Sequence, residues 1–255
     1  MSKLDSSIGD RSKFADPLLS HYGKGEIRLD KLFSDLIPRK LFDFYEFHQW
    51  RNAVAVLNGA FPEQWQDILS ILSSFRILRS DIGEKGEKGG GKSKVAIRMD
   101  RMFREKGWQP EEFDIQIVVD SKPIETPTHE VDCFKNKVAL ELEWNNKTEF
   151  YDRDLNNFRL LFDLRVADVG VIITRCDELQ AIFNSLGKGS SYGPTTTILS
   201  KLRRKLDGGA GGGCPVLAIG MKAGLYLDDV ADSSVSSRFV RIERTTKFKP
   251  RAGRK

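Results

Sequence analysis

The sequence predicts an α/β fold: a central mixed β-sheet flanked by helices, with a helical N-terminal region. Three segments have the length and apolar character of buried strands, namely Lys137–Trp144, Val169–Thr174 and Pro215–Gly220. The segments between them carry the apolar spacing of amphipathic helices, namely Asp152–Arg165, Glu178–Leu186 and Ile198–Leu206. This alternation of strands and helices is typical of a sheet with helices packed on its faces.

The first third of the chain is predicted to be helical after a polar start. Residues 1–28 are polar, and we expect them to be flexible. Apolar residues recur at helical spacing over residues 29–80, where Pro38 divides two helices and the second runs to Asn58. A third helix begins near Pro62. We expect this region to lie on the flank of the sheet.

A loop, a helix and two strands are predicted between this region and the apolar strands. Ser80–Ser93 holds five glycines and charges of both signs, so we expect a mobile loop. A helix follows over Lys94–Lys106. Strands are predicted over Phe113–Asp120 and Val131–Phe134, with a turn at Lys135–Asn136 after the second.

Composition argues against several classes of protein. Of 255 residues, 40% are hydrophobic and 30% are charged, as in ordinary globular proteins. No apolar run approaches the ~18 residues that span a bilayer. The N-terminus lacks the apolar core of a secretory signal, so we expect a cytoplasmic protein without a membrane segment. Three cysteines and three histidines are scattered, which argues against a disulfide scaffold, a zinc ribbon and a histidine-rich metal site.

Positive charge is concentrated in a basic C-terminal tail, residues 238–255. The formal net charge of the chain is +5, yet the tail alone contains eight lysines or arginines and one acid. The remaining residues 1–237 therefore carry a small negative charge. Such a tail can bind phosphate backbones, or it can be a solvated end without a function. We assign one domain to residues 29–237, with its core at 94–225.

The sharpest local feature is a group of carboxylates on two neighbouring strands. Side chains alternate across a strand, so Glu141 and Glu143 lie on one face and Leu140 and Leu142 on the other. Asp132 joins the two glutamates if its strand pairs antiparallel with theirs. Three carboxylates that repel one another suit Mg²⁺, which prefers oxygen ligands. The plainer alternative is a half-exposed strand with a solvated acidic face.

Polar neighbours of these carboxylates favour the functional alternative. Asn145, Asn146 and Lys147 form a polar turn directly after the strand, and Asp152 and Arg153 open the next helix. Amides and cations beside a carboxylate face suit a phosphodiester that is held near a metal ion. The chemistry we expect is metal-assisted hydrolysis.

The same residues resemble the D…(D/E)xK motif of the restriction-endonuclease superfamily. Asp132 is followed after eight residues by Glu141-Leu142-Glu143. The chain from Val131 to Gly220 is similar to the BglII/BstYI group of Type II restriction endonucleases, through VDCFKNKVALELEWNNK, FYDRDLNNFRLLFDLRVADVGVIITRCDELQAIF, SSYGPTTTILSKL and CPVLAIG. The resemblance covers more than a third of the chain and implies a restriction-endonuclease-like core.

This resemblance implies a sequence-specific, Mg²⁺-dependent endonuclease that acts on double-stranded DNA as a homodimer. Cleavage of a palindromic site would leave 5′-phosphate ends on 5′ overhangs. Asp132, Glu141 and the backbone carbonyl of Leu142 would hold the metal, and Glu143 would complete the catalytic set. Most of the superfamily has lysine at the place of Glu143, whereas the BamHI type has glutamate, so its role as general base or second-metal ligand stays open. A cognate DNA methyltransferase is expected in the same system.

Two segments are expected to contact DNA. Asn145, Asn146 and Lys147 have side chains that can pair with base edges or with phosphates. The polar loop near residue 190 matches a recognition segment of the family and contributes Ser190, Ser191, Tyr192, Thr195 and Thr196. The alternative for each of these residues is that its polar side chain only stabilises a turn. By the same resemblance, the helix Asp152–Arg165 would lie at the dimer interface, although its apolar residues suit the monomer core equally well.

A second motif also suggests phosphate binding. Gly86–Ser93 matches the P-loop pattern GxxxxGK[ST]. A working P-loop needs a buried strand directly before it, and the preceding residues Arg79–Lys85 are charged. We expect instead a loop whose lysines, Lys88, Lys92 and Lys94, contact DNA phosphates, or a plain surface loop.

Three other functions stay open from the sequence. A DNA-repair nuclease of the same superfamily would carry the same carboxylates. A P-loop NTPase would use Gly86–Ser93. A DNA-binding protein that has lost catalysis would bind DNA with Ca²⁺ and leave it uncut with Mg²⁺.

Overall fold

The computed structural model describes residues 33–83, 92–125, 129–193 and 195–231. Its centre is a six-stranded mixed sheet, which confirms the predicted fold class. From edge to edge the strands are β1 (Tyr45–Trp50), β9 (Val216–Met221), β8 (Val169–Arg175), β7 (Val138–Glu143), β6 (Val131–Lys135) and β3 (Gln109–Glu111). Strands β7, β8 and β9 are parallel, and the other three pair antiparallel with their neighbours.

Two short strand pairs lie outside the central sheet. Strand β2 (Ile77–Leu78) pairs parallel with β10 (Tyr226–Leu227). Strand β4 (Gln116–Val119) pairs antiparallel with β5 (Lys122–Glu125). The predicted strand at 113–120 is therefore present but shorter, because only its last part finds a partner.

Helices cover both faces of the sheet. They are α1 (Ala53–Ala60), α2 (Pro62–Ser74), α3 (Arg79–Ile82), α4 (Lys94–Glu105), α5 (Phe150–Asp163), α6 (Leu179–Ser185) and α7 (Leu199–Asp207), with 3₁₀ turns at Arg39–Asp43 and Ala223–Leu225. One apolar core joins α1, α2, α4 and α6 to one face of the sheet, and a second joins α5 and α7 to the other. Among the described residues, no helix is both long and apolar enough to span a bilayer.

Alternate residues of the central strands supply the two cores. In β8, Val171 and Ile173 face the first core and Ile172 faces the second. In β7, Leu140 and Leu142 face the first core, so the intervening residues face helix α5. This alternation decides the surroundings of both glutamates of β7.

The prediction of a helix through residues 45–50 is wrong, since this segment is the edge strand β1. The region 29–80 therefore contributes a strand to the sheet instead of lying wholly on its flank. Pairing with β9 runs along the whole of β1, and the Tyr45 hydroxyl donates to the backbone carbonyl of Leu72 at 2.9 Å. The positive φ angles of Arg51 and Asn52, 53° and 55°, end the strand before α1.

Other predicted elements are confirmed with small shifts in their ends. The hairpin turn lies at Asn136 and Lys137, one residue later than predicted, and both residues have the positive φ that a type I′ turn requires. Part of the predicted loop 80–93 belongs to helix α3. The expectations for residues 1–28, the glycine-rich segment 84–91 and the basic tail 238–255 fall outside the described residues.

Candidate active site

A cleft of about 890 Å³ opens where β7 ends. One wall is formed by the end of α3 and the start of α4, and the opposite wall by the first turn of α5 and the loop near residue 190. Its floor carries the predicted carboxylates, and its lining includes Asp81, Lys92, Lys94, Glu130, Asp132, Glu141, Glu143, Asn145, Asn146, Arg153, Lys188 and Ser191. The cleft therefore presents acids on its floor and cations and amides along its walls.

The register of the β6–β7 hairpin brings Asp132 and Glu141 together. Cys133 pairs with Leu140, and continuing that register places Asp132 opposite Glu141. The backbone N–H of Asp132 donates to Glu141 Oε2 at 3.4 Å, and the backbone N–H of Leu142 donates to Asp132 Oδ2 at 2.9 Å. The strand pairing thus fixes both carboxylates at one place in the cleft.

Both glutamates of β7 are buried, so the alternative of a solvated acidic face is wrong. Glu141 and Glu143 are each 1% exposed. They lie on the face of the sheet that helix α5 covers, and α5 brings a further buried acid, Asp154, against them. Buried carboxylates are rare unless they are paired or bind a metal, which strengthens the functional interpretation.

Two titratable residues beside these carboxylates, His129 and Asp154, are not among the predicted site residues. His129 Nε2 lies 3.2 Å from Glu141 Oε1 and 3.2 Å from Asp154 Oδ1. Asp154 does carry a sequence signal, because it falls on the apolar stripe of α5 between Tyr151 and Phe158. An acid in that stripe must be buried and needs a partner. His129 carries no such signal, since it precedes β6 in an irregular segment.

Burial and mutual repulsion disfavour the charged forms of both glutamates. Burial raises the pKa of Glu141, and the hydrogen bond with His129 opposes this rise. The negative charges of Asp154 and Asp132 raise the pKa further, to about 8. Burial and the charge of Asp154 raise the pKa of Glu143 to about 9. For His129, burial lowers the pKa, but hydrogen bonds to Asp154 and Glu141 outweigh it and raise the pKa to about 9. The group of three side chains therefore favours added positive charge, whether as bound protons or as a cation.

Glu143 is held by donors from two elements. The Asn146 side chain donates to Glu143 Oε2 at 2.9 Å, and Arg153 Nη2 lies 3.6 Å from Oε1. Arg153 also donates to Asp154 Oδ1 through Nε and Nη2, at 3.0 and 2.9 Å. Asn146, predicted to contact DNA, is thus committed to Glu143 here, and it orients a carboxylate that faces the cleft.

Of the three lysines predicted to contact phosphates, the structure describes two. Lys92 Nζ lies 2.9 Å from Asp132 Oδ1 and 3.7 Å from Asp100 Oδ2, so this lysine lies inside the carboxylate site. Lys94 is exposed on the cleft wall, at the start of α4. Lys88 falls outside the described residues.

The described part of the glycine-lysine segment does not have the surroundings of a P-loop. Helix α3, and not a buried strand, comes before it. After it, Ser93 caps α4 by accepting a hydrogen bond from the Ala96 backbone N–H at 3.2 Å. Since Lys92 pairs with Asp132, its ammonium group points to the carboxylates of the sheet.

The turn after β7 is tied to the loop near residue 190. The Asn145 side chain donates to the Ser191 carbonyl at 3.0 Å, and Lys147 forms a β-bridge with Thr196. The buried Arg175 donates to Thr196 Oγ1 at 2.7 Å and to the Tyr192 carbonyl at 2.9 Å. The two segments predicted to contact DNA therefore form one connected surface beside the carboxylates.

Within this surface, Tyr192 does not suit the predicted DNA contact. Its ring stacks on Phe183 with centroids 3.9 Å apart, and its hydroxyl accepts from Trp144 Nε1 at 3.4 Å. The residue is 6% exposed, since its apolar ring fills the core beneath the loop. Tyr192 anchors the loop, while Ser190, Ser191 and Thr195 are exposed.

The residues on the floor fit a divalent cation with oxygen ligands. Asp132 and Glu141 occupy opposed strand positions, and Leu142 follows Glu141 on β7. Carboxylate and carbonyl oxygens are the ligands of Mg²⁺. Burial and the charges of Asp154 and Asp132 raise the pKa of Glu141 in spite of its hydrogen bond with His129. A cation here would offset the repulsion between these acids.

A mixed sheet that delivers opposed carboxylates to a cleft lined by lysine, arginine and amide side chains is consistent with a nuclease of the restriction-endonuclease fold. The comparison with protein families agrees with this class: the family of the restriction endonuclease BglII/BglIII matches residues 45–221. The chain belongs to this family and is a Type II site-specific deoxyribonuclease. No curated protein matches the chain.

Proposed function

We propose that the protein cleaves both strands of DNA at a palindromic site with the help of Mg²⁺, leaving 5′-phosphate ends on 5′ overhangs. The observation that carries this proposal is the hydrogen-bonded opposition of Asp132 and Glu141 at the floor of the cleft. Family membership supports the substrate class, and the carboxylates support the metal dependence.

Asp132, Glu141 and the Leu142 carbonyl would hold the ion. A bound Mg²⁺ would supply Lewis-acid stabilisation of the negative charge that develops on the phosphate. The protein itself contributes rigidity, because both acids are fixed by backbone N–H donors of the β6–β7 hairpin.

Glu143 is assigned as the general base. It lies two residues beyond Glu141 on the same face of β7 and lines the cleft, and its carboxylate, whose charged form a nearby cation would favour, can accept the proton of an attacking water. Asn146 and Arg153 orient the carboxylate during that transfer. Lys92 lies in the site with a positive charge that can contact the reacting phosphate.

Five residues beside the cleft, one of them partly buried and four exposed, are proposed to contact DNA. They are Asn145, Lys147, Ser190, Ser191 and Thr195, with Thr196 fixing the loop and Lys94 reaching a phosphate. A palindromic site further implies a homodimer, in which each copy reads one half. The apolar residues Leu155 and Phe158 of α5 are buried in the second core, so only the exposed side of that helix is available to a partner. We also propose a cytoplasmic location and a cognate methyltransferase.

Incubation of the purified protein with unmethylated phage DNA, with Mg²⁺ or with EDTA, tests this proposal. We expect discrete fragments with Mg²⁺ only, and sequencing of the fragment ends gives the site and the overhang. A smear would contradict site specificity and favour a repair nuclease. DNA that stays intact with Mg²⁺ but is bound with Ca²⁺ would contradict catalysis.

A further inference from the structure

A buried arginine, Arg175, lies at the end of the central strand β8, and the proposed reaction does not use it. Its side chain is 1% exposed and does not line the cleft. Within the described part of the chain, no carboxylate forms an ion pair with its guanidinium group, and Nε and Nη1 are buried without a hydrogen-bond partner. A buried charge with so little compensation is costly, so the fold alone would be served better by an apolar side chain.

The third nitrogen of the guanidinium group, Nη2, holds the loop near residue 190 at two points. It donates to the Tyr192 carbonyl at 2.9 Å and to Thr196 Oγ1 at 2.7 Å. Thr196 in turn donates to the Gly193 carbonyl from its hydroxyl at 2.8 Å and from its backbone N–H at 3.1 Å. Arg175 thereby fixes the loop at Tyr192 and at Thr196.

The guanidinium group is itself held in place by aromatic rings and by the sheet. Its carbon Cζ lies 5.4 Å from the centre of the Phe183 ring and 5.8 Å from that of the Tyr192 ring. The backbone of Arg175 belongs to β8 and pairs with Met221 of β9. The position of the loop is therefore set from the centre of the sheet.

A separate set of hydrogen bonds ties the same loop to strand β7. Thr197 donates to the Asn146 carbonyl from its backbone N–H at 2.8 Å, and to the Glu143 carbonyl from its hydroxyl at 3.3 Å. Arg175 takes no part in these bonds. Removal of its guanidinium group should therefore loosen the part of the loop that carries Ser191 and leave Glu143 in place.

We propose that Arg175 is a positioning residue for site recognition, which holds the loop in the shape that lets Ser190, Ser191 and Thr195 contact DNA. Arginine suits this role, because one planar group can donate to two acceptors while it packs against aromatic rings. A loop that is ordered before DNA binds loses less conformational entropy on binding. This proposal rests on the DNA contacts that are proposed for the loop.

Hydrogen–deuterium exchange of the full-length protein without DNA tests the hold of Arg175 on the loop. The backbone N–H groups of Ser191, Tyr192 and Thr196 donate to carbonyls within the loop, so they should be protected in the wild type. In Arg175→Met, which keeps a long side chain without a donor, we expect them to exchange at least about 10-fold faster, because hydrogen bonds from a charged donor are lost. The amides of helix α2 should exchange as in the wild type.

Competition binding with Ca²⁺ in place of Mg²⁺ measures recognition on uncut DNA. The competitors are a duplex with the site, known from the sequenced fragment ends, and duplexes with one changed base pair. We expect Arg175→Met to lose at least about 10-fold in discrimination, within the roughly 5–150-fold that one bidentate base contact contributes. Bound site duplex should be cut with Mg²⁺ at nearly the wild-type single-turnover rate, since Glu143 keeps its position. Arg175→Lys, which keeps a charged donor, should recover part of the discrimination.

Two further variants make the result specific. Thr196→Val removes the hydroxyl that accepts from Arg175. Combined with Arg175→Met, it should lose less discrimination than the product of the two single losses, since both changes act on one contact. Arg203→Met is the matched control: it removes the same charge from an exposed arginine that pairs with Glu46 at 2.7 Å and does not line the cleft. It should discriminate like the wild type, and thermal unfolding of each variant shows that it is folded.

Several results would overturn the proposal. Wild-type discrimination by folded Arg175→Met, or unchanged amide exchange in its loop, would contradict it and leave the proposed function intact. If Arg175→Met does not fold, wild-type discrimination by Thr196→Val would contradict it in the same way. A wild type that binds every duplex equally would contradict both the site specificity and the positioning role of Arg175.

Discussion

At the scale of single residues, the main feature of this protein is a cluster of buried carboxyl groups. Glu141, Glu143 and Asp154 lie together almost without solvent, and their compensation comes from His129, Asn146 and Arg153. Such an arrangement costs stability in the free protein, because each buried carboxylate is desolvated next to another. The fold alone does not require such a costly arrangement of acids, and a role in the site explains why the acids are there.

Conservative replacement of either opposed acid should abolish cleavage. For Asp132→Asn or Glu141→Gln we expect the cleavage rate with Mg²⁺ to fall by at least about 10²-fold, because even residues that merely support a metal ligand contribute 10–100-fold. Asp168→Asn is the matched control, since Asp168 precedes β8 and pairs with Lys137 away from the cleft. Near-normal rates for Asp132→Asn would show that this acid is not a metal ligand.

The raised pKa of Glu143 predicts a pH-dependent stability of the metal-free protein. Its pKa is about 9 in the folded protein against 4.5 ordinarily, so the folded state binds the proton more tightly than the unfolded chain. The stabilisation from this proton is complete below about pH 4.5 and is lost as the pH rises towards 9. Glu143→Gln should therefore increase the free energy of unfolding in EDTA at pH 8 by at least ~1 kcal/mol.

Thermal melts of wild type and Glu143→Gln at pH 4.5 and pH 8 measure this difference. One kcal/mol corresponds to a shift in Tm of roughly 2–4 °C for a chain of this size. The advantage of the glutamine variant should disappear at pH 4.5. Equal Tm values for the two proteins at pH 8 would contradict a raised pKa of Glu143 in the folded protein.

Replacement of Glu143 by lysine, the commoner residue of the superfamily at this place, should inactivate the enzyme. The site offers the lysine an amide donor from Asn146 and the guanidinium of Arg153, both of which suit an acid and repel a cation. We expect at least about 10²-fold slower cleavage, as for a general base that contributes 10²–10⁴-fold. Wild-type cleavage rates for Glu143→Lys would show that the carboxylate is not needed there.

At the scale of elements, close contact between β8 and α5 positions the second half of the site. A Cβ added to Gly170 would lie 2.3 Å from the Phe158 ring, so only glycine lets the helix approach the sheet here. Asp154 is carried on the same helix, one turn before Phe158. The distance from helix to sheet therefore determines whether Asp154 reaches His129 and Glu141.

Gly170→Ala should weaken this contact measurably. We expect a loss of ~1–3 kcal/mol in the free energy of unfolding from overpacking. Gly59→Ala is the matched control, because nothing lies within 4 Å of the added atom and alanine favours the helix α1. Urea unfolding of both variants measures the effect, and equal stability of Gly170→Ala and wild type would contradict the close packing of β8 and α5.

Local patterns predicted most elements but not their partners. The apolar runs of β8 and β9 indicate buried strands whatever their neighbours are, because helices cover both faces. The segment at Tyr45–Trp50 has apolar spacing that fits a helix as well as a strand. Its pairing with β9, far along the chain, decides the outcome, and no local pattern contains that information.

At the scale of the whole molecule, charge is divided between a slightly acidic body and a basic tail. Deleting residues 238–255 removes eight cations and one acid. We expect weaker non-specific DNA binding and a shallower salt dependence. The slope of the logarithm of the binding constant against the logarithm of the salt concentration should fall in magnitude by about 0.9 for each phosphate that the tail neutralises in the full-length protein. Deleting residues 2–19, which have equal numbers of acids and bases, is the matched control. An unchanged slope after the tail deletion would show that the tail does not bind DNA.

The sequence by itself determined the fold class, the β6–β7 hairpin and the trio of Asp132, Glu141 and Glu143. These features depend on spacing along one or two neighbouring strands, which the order of residues displays directly. Only the tertiary structure placed Tyr45–Trp50 in the sheet, buried both glutamates under α5, and joined His129 and Asp154 to Glu141. These results depend on contacts between segments far apart in sequence, where helix and sheet packing, and not local periodicity, set the distances.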